Sequence, residues 1–148
     1  MKVKNAMSTK IDYSTSKAKL KDVSKIIFDH HINGLPVLKD KKLVGFITEK
    51  DILQQFFPSM KEFMEDSVNE ANFEKMEKKI SLIFAMSADK IMSKKLITLN
   101  PDTPLLEALS LMFVNKVGRL PVVDEKKRLV GIISKGDIFK FLVGKRIK

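Results

Sequence analysis

Apolar and polar positions alternate in the same way in two stretches of this chain. Leu105, Ala108, Leu109, Met112 and Phe113 fall at i, i+3, i+4, i+7 and i+8, the single apolar stripe of an amphipathic helix. Leu20, Val23, Ile27 and Phe28 draw the same stripe more faintly. Ahead of the second stripe, Thr103 suits an N-cap, Pro104 the first helical position and Glu107 the positive helix end. A short strand is expected before each helix, over 11–14 and 96–99. After each helix come two β-rich runs joined by a charged turn: 35–38 with 43–47 through 39–42, and 120–123 with 129–133 through 124–128. Each pair reads as a hairpin. A closing helix is expected to start at Thr48 and again at Ser134. The unit is β-α-β-β-α, and it occurs twice.

The recurrence extends to residue identity. Met7-Ser8 returns as Met92-Ser93 and Leu35-Pro36-Val37 as Leu120-Pro121-Val122, both at an offset of 85. Leu43-Val44-Gly45 returns as Leu129-Val130-Gly131 and Asp51-Ile52 as Asp137-Ile138 at 86, so one residue has entered the second turn. Matches that keep their order over about fifty residues mark an internal repeat, which dictates architecture. The expected division is a first repeat over 1–55, a helical insert over 56–88 and a second repeat over 89–148. Neither repeat is long enough to bury its apolar faces well alone, so the two are expected to pack together. In the insert, Pro58 can open a helix carrying Met60, Phe63, Met64 and Val68. Phe73, Met76, Ile80, Ile83 and Phe84 form a second stripe. Such stripes are usually core, although a Met-rich face can also dock a partner or a second copy. The fold class expected is α+β.

Composition narrows the function classes. The 148 residues are 44% hydrophobic and 31% charged, as in a soluble globular protein. No apolar run reaches the roughly 20 residues a membrane span needs, and residues 1–5 lead into no apolar signal core. With no cysteine there can be no disulfide, thiolate metal site or cysteine nucleophile, which fits a cytoplasmic protein. The net charge of +10 is unevenly placed: +5 over 1–55, −2 over 56–80 and +7 over 81–148. A basic surface attracts nucleotides, nucleic acid or acidic partners, and charge alone does not choose among them.

Few residues could carry chemistry. Thr48-Glu49-Lys50-Asp51 and Ser134-Lys135-Gly136-Asp137 each fit [Ser/Thr]-x-x-Asp before an apolar run. That pattern is a capping box at a helix start. Compatible with the cap, the carboxylate also offers two oxygens that can accept from a ribose diol. Arg119 offers bidentate donors suited to phosphate, or is a solvated arginine; the first copy has Gly34 at that position. Lys50 and Lys135 could assist. His30-His31 ends the first helix, where charge favours the C-terminus; adjacent histidines without further ligands are a poor metal site. Gly45 and Gly131 are too isolated for a phosphate loop. No Ser-His-Asp arrangement or carboxylate cluster stands out, so no catalysis, metal or catalytic cofactor is expected.

The paired pattern resembles the CBS domain family, named for cystathionine β-synthase. The resemblance rests on the Met-Ser starts, on Asn33-Gly34-Leu35-Pro36-Val37 and Gly118-Arg119-Leu120-Pro121-Val122, and on the Leu-Val-Gly to Asp-Ile runs at 43–52 and 129–138. It implies two lobes about a pseudo-twofold axis with two clefts between their sheets, commonly dimerised into a disc. It implies a regulatory ligand in those clefts: AMP, ADP, ATP or S-adenosylmethionine. Thr48, Asp51, Ser134 and Asp137 would lie at the nucleoside, and Arg119 at phosphate. Arg119 is expected to reach the cleft holding Asp51. Ile11 and Tyr13 in the first strand complete the ligand set, with Gly34, Leu35 and Pro36 in one Leu-Pro run and Leu120 and Pro121 in the other. The expected protein is an adenine-nucleotide sensor, a homodimer acting on an effector protein in trans. A basic nucleic-acid-binding protein and a purely structural dimerisation module are the alternatives.

Overall fold

The computed structural model describes residues 1–57, 75, 77–144 and 146. In chain order the elements are α1 (Val3–Ala6), β1 (Ser14–Thr15), α2 (Leu20–Asp29), β2 (Gly34–Lys39), β3 (Lys42–Thr48) and α3 (Glu49–Leu53), which runs into a 3-10 turn at Gln54–Phe56. There follow α4 (Ile80–Phe84), a 3-10 turn at Ala88–Lys90, α5 (Leu105–Asn115), β4 (Arg119–Val123), β5 (Leu129–Ser134) and α6 (Lys135–Gly144). The mixed order of helices and strands is the expected α+β class. Of the insert helices, the stretch from Pro58 to Val68, with Phe73 and Met76, lies outside the described residues. Ile80, Ile83 and Phe84 form α4.

The chain divides into two compact units that are not contiguous in sequence. Unit 1 holds 1–11, 40–43 and 96–148; unit 2 holds 12–39 and 44–95. The leading segment 1–8 is thus built into the unit made mostly of second-repeat residues, and 86–93 into the unit that holds most of the first repeat. In unit 1, Val3 N donates to Thr103 O at 2.9 Å, Lys4 N to Pro101 O at 3.0 Å and Leu105 N to Met1 O at 3.0 Å. In unit 2, Ala88 N donates to Ala18 O at 2.8 Å, Asp89 N to Ser16 O at 2.9 Å and Leu20 N to Met86 O at 2.8 Å. Every atom of the second set lies 85 positions from its counterpart in the first. The repeat is therefore written in hydrogen bonds as well as in residue names.

The sheets obey the same rule. In unit 2, β1 lies parallel to β2 with Ser14 opposite Val37, β2 pairs with β3, and Phe46 on β3 exchanges two backbone hydrogen bonds with Ser93. In unit 1, Leu99 bridges Val122 on β4, β4 pairs with β5, and Ile132 on β5 exchanges two hydrogen bonds with Ser8. The strand expected over 96–99 is only a bridge at Leu99. Ser16 N extends the first-copy pairing by donating to Leu38 O at 2.9 Å, whereas its counterpart is Pro101, which has no N–H to give. The first-copy strand is also later and shorter than 11–14. The β2–β3 turn places Asp40 and Lys41 at φ 51 and 67 without a glycine. The β4–β5 turn is organised by Asp124, whose Oδ1 accepts from Lys126 N and Arg128 N at 2.9 Å each.

Eight of the nine buried residues in each core are counterparts. Leu20, Val23, Ile27, Leu35, Val37, Ile47, Ile52 and Ala88 in unit 2 answer Leu105, Ala108, Met112, Leu120, Val122, Ile133, Ile138 and Val3 in unit 1. The helical stripes correct the sequence reading at one edge: Phe28 is 79% and Phe113 62% exposed, so the stripe ends at Ile27 and Met112. The α5 cap is also corrected. Pro104 is the N-cap and Leu105 the first helical residue. Thr103 Oγ1 instead accepts from Asn100 N at 3.1 Å, inside the preceding turn. Both helices end on a left-handed residue, His31 at φ 54 and Lys116 at φ 55, and the following N–H turns back to Ile27 O and Met112 O. This is a Schellman-type closure.

Candidate functional site

Each unit carries one corner where a strand turns into a helix. At the end of β3, Thr48 leaves extended backbone and α3 begins. Asp51 N donates to Thr48 Oγ1 at 3.2 Å, and Asp51 Oδ2 accepts from Thr48 N at 2.9 Å and from Thr48 Oγ1 at 3.0 Å. At the end of β5, Asp137 N donates to Ser134 Oγ at 3.1 Å, and Asp137 Oδ2 accepts from Ser134 N at 2.9 Å. Both corners are reciprocal capping boxes, as the spacing allows. Each is tied to the strand beside it: Glu49 N donates to Asn33 O at 2.9 Å and Lys135 N to Gly118 O at 3.0 Å. Sequence reasoning missed these two carbonyls. Their signal was the Asn33-Gly34 and Gly118-Arg119 pair just before each Leu-Pro.

The box uses one carboxylate oxygen only. Among the described residues, Oδ1 of Asp51 and Oδ1 of Asp137 accept no hydrogen bond. Oδ2 fixes the carboxylate's position while Oδ1 keeps its lone pairs, so each corner holds an oriented acceptor on a half-buried residue. A vicinal diol, with two O–H donors, matches such an acceptor.

The two corners differ at the start of the Leu-Pro strand. Arg119 opens β4 opposite Ser134 and is half-buried. Among the described residues its guanidinium has no hydrogen-bond or ion-pair partner, so all five N–H donors are available. Gly34 opens β2. A Cβ there would stand 2.8 Å from Ile47 O, 2.9 Å from Thr48 Cγ2 and 3.0 Å from Phe46 Cε1. The second copy has Ser134 and Ile132 where the first has Thr48 and Phe46, which removes the methyl and shrinks the ring. A side chain at 119 and none at 34 thus follow from the cross-strand neighbours.

Tyr13, Gly34, Leu35, Pro36, Thr48 and Asp51 belong to unit 2. Ile11, Arg119, Leu120, Pro121, Ser134 and Asp137 belong to unit 1. Leu35 and Leu120 are core residues, at 0% and 3% exposure, and Pro36 and Pro121 are buried with them. Tyr13 is exposed. Lys135 Nζ sits 4.9 Å from the centre of the Phe113 ring, a cation–π contact that holds the amine over α5. His30 Nδ1 meets Asp12 Oδ1 at 2.7 Å at the surface.

The glycines that fit no phosphate loop have a packing role. A Cβ on Gly131 would stand 2.5 Å from Met7 Sδ, and one on Gly45 would overlap Met92 Sδ. Each Met-Ser lies across the glycine of the partner repeat's second strand, which explains why both motifs recur together. Among the described residues, no helix is long and apolar enough to cross a membrane.

Comparison with known proteins bears on the family and the fold. The protein MJ1426 of Methanocaldococcus jannaschii is 33% identical over 134 residues, 82% of this chain and 80% of that protein. MJ1232 of the same organism is 31% identical over 85% of this chain, which spans only 34% of the MJ1232 length. Among solved structures, the CBS domain pair of MJ0100, in complex with 5'-methylthioadenosine and S-adenosyl-L-methionine, superposes with a TM-score of 0.70 at 26% identity, over 99% of this chain and 98% of that one. The CBS domain matches residues 3–57 and again 88–144. With two such matches and two units built from the same hydrogen bonds, the chain belongs to the CBS domain family as a tandem pair.

Proposed function

We propose that this chain is a regulatory module that binds an adenosine-containing ligand at the Thr48–Asp51 and Ser134–Asp137 corners. The observation carrying this reading is the carboxylate present in both units, fixed through Oδ2 and open at Oδ1. Support comes from MJ0100, whose two bound ligands share an adenosine ribose. Neither of those ligands has a phosphate. Arg119, unpartnered among the described residues, suits a nucleotide such as AMP, where a charged hydrogen bond is worth about 1.5–3 kcal/mol, or one to two decades in affinity. Output is exerted on a partner protein in trans, from a homodimer. Phe28, Leu53, Phe113 and Phe139, the last two counterparts of the first two, are 60–79% exposed and supply apolar surface for a second copy.

Calorimetry with AMP and adenosine tests the site. Arg119→Ala should weaken AMP about ten- to a hundredfold and leave adenosine unchanged. Asp51→Ala or Asp137→Ala should weaken both, because both ligands carry the diol. Equal losses for AMP and adenosine in Arg119→Ala would remove phosphate from the reading. Unchanged binding in both aspartate variants would leave these residues as helix caps alone. A second reading is nucleic-acid binding. It is favoured by the bridge between Lys42 and Arg128, which sets two basic turns side by side in unit 1. Steeply salt-dependent binding of a DNA or RNA oligomer, with no adenosine binding, would select it.

A further inference from the structure

The exchanged leading segments raise a recognition problem. In each unit the sheet runs from the first strand through the hairpin to the Met-Ser segment. The first strand and that segment are therefore three strand spacings apart, about 14 Å. Six Cα–Cα steps lead from Ser8 to Ser14, and six from Ser93 to Leu99, a reach of about 20 Å. Either segment has tether enough to fold onto its own repeat. The backbone bonds and the Met-on-glycine contact are the same at both places, so they do not choose between them.

Two neighbouring positions do differ, and both are inverted between the units. Segment 1–8 presents buried Val3 to a core that contains Ala108 on α5; segment 86–93 presents buried Ala88 to a core that contains Val23 on α2. The large and the small residue at these two positions are thus exchanged between the two cores. At the next position, Lys4 Nζ pairs with Asp102 at 3.0 Å, and Asp89 pairs with Lys17 Nζ at 2.8 Å. Lys4 is the counterpart of Asp89, and Asp102 that of Lys17, each at offset 85. The same ion pair is built twice with its charges reversed. Lys2 adds a contact to Asp102 at 3.4 Å.

We infer that Val3-Lys4 and Ala88-Asp89 form a sorting code that assigns each leading segment to the opposite repeat. With the segments folded back onto their own repeats, Lys4 would face Lys17 and Asp89 would face Asp102, two like-charge contacts. Val3 would crowd Val23, and Ala88 would leave a void beside Ala108. Both ion pairs are like-charged in the self-paired arrangement and opposite in the exchanged one, and the core sizes are unbalanced in the first and balanced in the second. A lone exposed ion pair discriminates weakly. Reversal changes attraction into repulsion at both places at once, and the size inversion acts in the same direction.

Cysteine reporters in the full chain test this, since the natural sequence has no cysteine. Ser8 and Ile132 are a hydrogen-bonded antiparallel pair, whose Cα spacing of about 5.5 Å suits a disulfide. Ser8→Cys with Ile132→Cys reads the exchanged arrangement. Ser8→Cys with Phe46→Cys reads the self-paired one. With native charges only the first pair should close within one chain. Lys4→Asp with Asp89→Lys inverts the code at constant net charge. At low salt it should lower first-pair closure about tenfold relative to the second pair. Adding Lys17→Asp and Asp102→Lys should restore it. Closure within twofold of native in the inverted chain would overturn the inference. So would failure of the four-fold reversal to rescue, which would make these residues merely structural.

Discussion

Gly34→Ala adds one methyl group at the start of β2, and the structure says which neighbours must yield. The new Cβ meets Phe46 Cε1 at 3.0 Å, Thr48 Cγ2 at 2.9 Å and Ile47 O at 2.8 Å. The ring can swing. The threonine methyl cannot turn away cheaply, because Thr48 Oγ1 both donates to Asp51 Oδ2 and accepts from Asp51 N. The carbonyl belongs to β3. Overpacking of this kind costs about 1–3 kcal/mol. Alanine returns about 0.4–1 kcal/mol by restricting the unfolded chain, since Gly34 does not have a positive φ. The net expectation is a loss of about 1.5 kcal/mol, or roughly 3–6 °C in Tm at this chain length. Thr48→Ser keeps the cap and deletes the methyl, so it should recover part of the loss in the double variant. Urea unfolding of the wild type, both single variants and the double variant measures that coupling. A Gly34→Ala protein as stable as wild type, or strictly additive effects, would refute the claim that the threonine methyl and the strand carbonyl keep this position a glycine.

Other expectations follow from burial and charge. Met112→Ala removes a side chain with no exposure and should cost about 2–5 kcal/mol in urea unfolding, whereas Phe113→Ser, one residue on and 62% exposed, should cost little in a monomer. The hydrogen bond from Lys17, helped by one from Ser87, holds the Asp89 carboxyl at about 2, below its ordinary 3.8. Asp102, beside Lys4, and Asp124, at the backbone N–H of Arg128, are lowered as well. A carboxyl lowered by folding stabilises fully above its unfolded pKa and loses that contribution as pH falls towards the folded one. The urea midpoint should therefore drop between about pH 4 and pH 2. Lys17→Met should flatten that drop, and an unchanged acid profile would contradict the assignment.

The repeat and its β-α-β-β-α order were legible because identical residues at a fixed offset build identical hydrogen bonds. The hairpins were legible for a simpler reason: Leu35-Pro36-Val37 and Leu120-Pro121-Val122 are apolar runs bounded by charged turns, and they occupy equivalent strands. The capping boxes were readable from spacing alone. The segment exchange was not, since Met7 gives no hint whether it covers Gly45 or Gly131; both choices satisfy the same local chemistry. Phe28 and Phe113 were misplaced because helical periodicity finds the centre of an apolar stripe better than its edge. The bridge at Leu99 was overextended into a strand because β propensity ignores the N–H that Pro101 lacks. Why one corner carries Arg119 and the other Gly34 needed the cross-strand neighbours, which no local window contains.

The discontinuous make-up of the units also sets an order of assembly. Unit 2 is complete once residue 95 has been made, and its longest span closes within 84 residues. Unit 1 needs residues 1–11 together with 96–148, so Ser8 must wait for Ile132. At translation rates of about 5–20 residues per second, that wait is on the order of ten seconds. During it, Val3 and Met7 have no second-repeat surface to cover while the complete strands of the first repeat are already present. Unit 1 is thus the late, high-contact-order half of the molecule, and its closure is the step expected to limit the folding rate.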